Sequence, residues 1–211
     1  MNGLDGKNKN GWKTMPSPEK FGQTLHEYRV SKEVTEKIYS GFEEIKDKSA
    51  KPERAAFFGQ AVRVMNENLI KEQVKEILEA GACCKGGSRE RNSKQFAKDN
   101  KELGLRARLE LISGRPELYM GKAKLDEQGF LMVYAVAYQP KGKFECACPN
   151  VNQKKGDVVI PREYCYCCGG HFKHHYEIML GVKLNLVEIV SSPHDTRGEE
   201  PCVFRYQIVE K

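Results

Sequence analysis

The order of periodicities along the chain predicts an α+β fold: a helical N-terminal half packed on an antiparallel sheet, with one long helix in the C-terminal half. Three observations carry this. Apolar residues recur at spacings of three and four through the region ending at Gly81. From Leu118 the pattern changes to extended β-type runs and clean alternation. One helical stretch, Pro161 to Leu180, interrupts those runs.

Residues 1–16 are rich in Asn, Gly and Lys and offer little to bury, which predicts a disordered tail. Ser17, Pro18 and Glu19 then supply a hydroxyl N-cap, a proline at the first helical position and an acid in the first turn. That start predicts helix to about Ile45, restarting at Ser31. A second helix is predicted from Pro52 to Gly81. Phe58, Val62, Met65 and Leu69 mark its face, and Ile70, Val74, Ile77 and Leu78 continue it. Ser88 caps a third, basic helix through about Glu102. The character changes after Leu105, so 17–104 reads as the helical region and 105–211 as an α+β domain.

In that second region Leu118–Leu125 reads as a strand and Asp126–Gly129 as a turn. Phe130–Tyr138 is apolar on both faces and reads as a central strand. Lys143–Cys148 reads as a strand ended by Pro149, followed by a polar loop. After the 161–180 helix, Gly181 is the stop and Val182–Val190 a strand. Ser191–Gly198 is turn-rich. Cys202–Val209 alternates, with Cys202, Phe204, Tyr206 and Ile208 on the inward face.

The chain has 211 residues, enough to bury a core without disulfide staples. No apolar run approaches the ~20 residues of a membrane span, and the first residues hold no apolar signal region. A cytoplasmic protein with reduced thiols is the expectation. The net charge of +6 is mild and centres on Lys85, Arg89, Arg91, Lys94, Lys98 and Lys101. That basic face suits an anionic ligand, or else is simply solvated. Aromatics do not interleave with it, which disfavours nucleic acid.

The eight cysteines carry the chemistry. Seven of them form Cys83-Cys84, Cys146-x-Cys148 and Cys165-x-Cys167-Cys168, and the last cluster runs into Gly169-Gly170-His171-Phe172-Lys173-His174-His175. Thiolate and imidazole are ligands for zinc and other soft metals. Two short-spaced pairs brought together by a fold hold a tetrahedral ion. Cys146, Cys148, Cys165 and Cys168 satisfy that pattern, with Cys167 and His171 as competing ligands. Zinc is the expected ion, ahead of an iron–sulfur cluster, for which three or four thiolates also suffice.

The same residues permit catalysis. Cys165, Cys167 and Cys168 fall in the first turns of a helix, where free N–H groups and the macrodipole favour a thiolate. Cys165 or Cys168 would be the nucleophile and His171 or His175 the base. Against this stands a purely packing stripe of Cys168, Phe172, Tyr176 and Met179. Cys83, Cys84, Gly86 and Gly87, before the basic helix, form a candidate ligand-binding turn. Lone Cys202 reads as a small apolar residue, and His194-Asp195 as a solvated turn or an orienting pair.

The segment Tyr164-Cys165-Tyr166-Cys167-Cys168-Gly169-Gly170-His171, followed by a helix, a strand and Gly198-Glu199-Glu200-Pro201-Cys202-Val203-Phe204-Arg205, resembles two related groups. They are the 4-vinyl-reductase-type ligand-binding domains and the amino-thiazoline carboxylate hydrolases. The resemblance covers roughly 118–211, within a wider likeness to cysteine-rich bacterial proteins. It implies a small-molecule pocket between helices and an antiparallel sheet, with cysteines at its mouth or in a zinc site. In the hydrolase branch a cysteine-bearing site opens a small sulfur–nitrogen ring. The chain departs from both groups by Cys146, Cys148, Cys167 and the His171-x-x-His174-His175 run. The expected function is therefore a small-molecule-binding or sensor protein with a thiolate-ligated metal. A hydrolase dependent on cysteine or metal is the alternative. A small, anionic ligand is the expected partner, and a homodimer stays open.

Overall fold

The computed structural model describes residues 17–82, 85–135, 142–146, 148, 150 and 160–209. The expected tail at 1–16, Cys83, Cys84 and most of the loop after Asn150 lie outside these. The fold is α+β: N-terminal helices, a four-stranded antiparallel sheet, and a long C-terminal helix packed against that sheet.

Helix α1 (Pro18–Glu27) starts where the sequence places it, with the Ser17 hydroxyl accepting from Lys20 N at 2.9 Å. The chain then turns, with Arg29 at φ 55°. Ser31 caps α2 (Lys32–Tyr39) through Val34 N at 3.2 Å, and α2 ends at Tyr39, short of Ile45. Phe21, Tyr39, Phe42 and Phe58 surround Phe57, whose ring centroid lies 5.0–6.2 Å from each of theirs.

The single helix expected over 52–81 is two, α3 (Lys51–Asn68) and α4 (Lys71–Ala80). Leu69 and Ile70 between them are extended. The Asn68 amide donates to Val64 O at 2.7 Å and competes with continued helix. Apolar periodicity crosses the corner because both helices bury their stripes in one core. Helix α5 (Gly87–Asp99) follows, then two helices not expected, α6 (Leu105–Gly114) and α7 (Pro116–Tyr119).

Strands β1 (Gly121–Leu125), β2 (Leu131–Ala135), β3 (Lys183–Ser191) and β4 (Val203–Val209) are ordered β1-β2-β4-β3, so β2 is interior as expected. Phe204 pairs with Val133 on one side and Ile189 on the other. Over 143–148 the described residues form no strand; Glu145 makes only an isolated bridge. The Phe144 N–H is taken by Gly198 O at 2.9 Å, which holds this segment against the turn after β3.

A 3-10 turn (Arg162–Cys165) leads into α8 (Tyr166–Leu180), closed by Gly181 in the left-handed region at φ 70°. Helix α8 is the centre of the molecule. It packs on α4 and α5 on one side and on β3 on the other. Tyr206 donates its hydroxyl to Gly169 O at 2.8 Å, and Phe172 lies 5.5 Å from Phe204. The hydrophobic core is continuous from Phe21 to Tyr206.

The outer edge of β3 is occupied by side chains. Lys75 donates to Leu186 O and, at 3.1 Å, to Asn185 Oδ1. Arg162 donates to Ile189 O and, at 2.8 Å, to Val190 O. Among the described residues no helix is long and apolar enough to cross a membrane.

Candidate functional site

Three segments far apart in sequence meet at one end of α8. The 3-10 turn brings Tyr164 and Cys165, and the first turn of α8 brings Cys168. The segment pinned by Phe144 brings Cys146 and Cys148. The turn between β3 and β4 brings Ser192 and His194, and the entry to β4 brings Cys202. Together they line one narrow cavity of about 10 Å³, room for roughly one water-sized atom. Ile160 and Pro161 close its apolar side.

Each wall is held by named bonds. Ala135 N donates to Cys202 O at 3.0 Å, fixing the start of β4. Ser192 accepts from Asp195 N at 3.3 Å and donates to Asp195 Oδ2 at 3.0 Å, closing the turn that presents His194. Arg162 Nε meets Asp195 Oδ2 at 3.2 Å, tying that turn to the 3-10 turn. The Tyr164 ring packs 5.3 Å from Phe58, so the floor of the site rests on the aromatic cluster of the N-terminal half. Its hydroxyl receives Asn150 Nδ2 at 3.1 Å and lies 3.9 Å from Cys148 Sγ.

The thiols differ in character. Hydrogen bonding from the Cys202 thiol holds Cys146 well below the usual cysteine range, helped by His194 and by the Cys148 N–H, and burial opposes it. The Cys148 N–H reaches Cys146 Sγ at 3.4 Å. Cys202 is driven far up, first by that bond to Cys146 and then by burial. His194 is raised, chiefly by its bond to Cys146. Cys146 is thus the most acidic-leaning thiol of the group, and His194 beside it is shifted towards its protonated form.

Cys165 behaves opposite to the expectation from its place at a helix N-terminus. Burial pushes its thiol strongly up, the charges at Cys146 and Cys148 push it further, and the Ser192 hydroxyl opposes them. Desolvation outweighs the macrodipole here, because the sulfur is shut inside the core and not at an exposed helix end.

Of the residues singled out from sequence, Cys146, Cys148, Cys165 and Cys168 come together. Cys167 is buried but does not line the cavity. His171 and His175 point to α5: His171 Nε2 lies 3.2 Å from Arg89 Nη1, and His175 Nδ1 lies 3.1 Å from the Ser93 hydroxyl. Neither lines the thiol cavity, where the bases expected for Cys165 or Cys168 would stand; the imidazole that does line it is His194. Gly86 and Gly87 open α5, with Gly87 at φ 74°, while Lys85 donates to Glu79 O at 3.1 Å and Ala80 O at 3.3 Å. Sequence reasoning set aside Cys202 and His194. The signal for Cys202 was its place at the start of an inward strand face; nothing local marked His194.

The donor set is soft, five sulfurs and an imidazole, and suits zinc by its chemistry. Among the described residues no three His, Cys, Asp or Glu side chains already stand in metal-holding geometry. Comparison of the chain with family models, with curated proteins and with solved structures finds no match.

Proposed function

We propose that the chain is a small-molecule-binding or sensor protein built around a thiolate metal centre, with zinc as its ion. The observation that carries this reading is the convergence of Cys146, Cys148, Cys165, Cys168 and Cys202 with His194 on a cavity of single-atom size. Cys146, Cys148, Cys165 and Cys202 would hold the ion, with Cys168 and His194 beside them. An ion would draw these side chains inward by rotation about χ1 and displace the protons that Cys165 and Cys202 otherwise keep. Zinc would supply cross-linking of three loops that share few backbone bonds.

The test is metal analysis of protein purified without oxygen, together with its optical spectrum. About one equivalent of zinc is expected, as for a closed structural site, and chelation should lower the melting temperature. Less than about a tenth of an equivalent of any transition metal would sink the reading. Strong visible absorption with iron would replace zinc by a cluster.

A second reading, a thiol-dependent hydrolase, is favoured by one observation, that Cys146 and His194 line the same cavity, with the Cys146 thiol held low by its neighbours. The narrowness of the cavity argues against it, since about 10 Å³ holds a single atom and not a substrate molecule. Alkylation separates the two. A single hyper-reactive Cys146 below neutral pH supports catalysis, whereas protection of all five thiols, reversed by chelator, supports the metal.

A further inference from the structure

A second cavity shares no lining residue with the thiol centre. It measures about 750 Å³, within the range of small-molecule pockets, and lies along the free edge of β1 beside α6. Leu109 and Ala123, both buried, with Leu125 and Tyr134 give it an apolar floor. Its rim carries Arg106, Lys122 and Lys124.

Several cations of the molecule are neutralised by a neighbouring acid. Lys37, Lys94 and Lys173 each meet a carboxylate at 2.7–3.0 Å. Among the described residues Arg106, Lys122 and Lys124 meet none; Lys124 lies 5.6 Å over the Tyr134 ring. Two carboxylates also line the cavity. Asp126 is matched by Arg205 at 2.9 Å, which leaves Glu110 alone against three cations. Positive charge is therefore in excess around an apolar floor.

The occupant is not an added β-strand. Ala123 presents its N–H and C=O away from β2, and the Ser113 hydroxyl takes both, at 2.9 and 2.7 Å. That plug removes the central pair of groups a pairing strand needs. The geometry points to a binding site for a small apolar monoanion, a carboxylate with a hydrocarbon or aryl tail. The tail lies on Leu109, Ala123, Leu125 and Tyr134, and the carboxylate meets Arg106 with Lys122 or Lys124. This rests on the small-molecule-binding reading but not on the metal centre.

The test titrates the full chain with octanoate and with octanamide, followed by amide NMR and calorimetry. Octanoate should bind saturably, with shifts centred on α6, β1 and Tyr134 of β2, and octanamide at least about tenfold more weakly. Arg106→Glu and Lys124→Glu, both at exposed positions, should each weaken octanoate about tenfold with unchanged melting temperature. Equal binding of acid and amide, unaltered binding by both variants, or shifts centred elsewhere overturns the site. Failure here with zinc intact removes this cavity alone; octanoate binding without any metal removes the metal centre alone.

Discussion

The Cys202 thiol donates to the sulfur of Cys146, and this one contact separates two groups that begin with the same acidity. Cys146 is pushed down and Cys202 up. A residue that alternation alone marks as core filling is thereby the main partner that holds the Cys146 thiol down.

If the cavity holds an ion, Cys202→Ala should weaken zinc at least about tenfold. Cys167→Ala, a change at a buried sulfur outside the cavity, should leave zinc content unchanged. Competition with a chromophoric chelator reads both. The reverse ranking would move the centre to the other face of α8.

Helix α8 approaches α4 through Gly170. A Cβ there would meet Glu79 O at 2.6 Å and Glu79 Cα at 2.8 Å, both backbone atoms. Gly170→Ala should therefore cost more than about 2 kcal/mol in urea unfolding, despite alanine's better helix propensity. At Gly169 the obstacle is Leu186 Cδ2, the end of a side chain that can turn. Gly169→Ala should cost less; equal losses would mean that the α4–α8 contact yields as easily as a leucine rotamer.

Arg108 is a cap shared by two elements. It donates to Met179 O and Leu180 O at the end of α8, and to Lys101 O and Leu103 O before α6. Arg108→Ala should destabilise by about 2 kcal/mol, and Arg108→Lys should recover only part, because an ammonium cannot span four carbonyls. Full recovery by lysine would reduce the residue to its charge.

Alkaline pH should unfold the protein. Burial pushes Tyr39 up to about 12, and raises Tyr176 and Tyr206 further. In the unfolded chain these phenols ionise near pH 10. A raised folded value gives stability that is complete below about pH 10 and is lost as pH climbs beyond it. The melting temperature should hold to about pH 9 and then fall, with the phenolate absorbance of these three residues appearing only on unfolding. Phenolate signal from intact protein at pH 10, at the strength of free tyrosine, would contradict their burial.

The sequence showed the fold class because its signals were strong where burial was one-sided. Ser17 and Ser31 cap where expected, and Phe204 and Tyr206 face inward as the alternation of β4 predicts. The corner at Leu69–Ile70 was hidden because apolar spacing continues through it. Helix α6 was also missed, although Leu105, Leu109 and Ile112 are spaced for a helix; its short length gave the period little room. In the site, clustering of thiols pointed to Cys146, Cys148, Cys165 and Cys168. Which histidine serves them depends on the rotation of α8, which turns His171 and His175 towards Arg89 and Ser93. Their neighbour is His194, from a turn whose position is set by Ser192 and Arg162.

Lys75 and Arg162 come from outside the sheet, yet they bond three carbonyls of its edge strand β3. A neighbouring molecule thus finds no vacant acceptors at Leu186, Ile189 or Val190 on which to template its own strand. Crowded copies of this chain are kept from growing into a shared ribbon along that side by two long basic side chains.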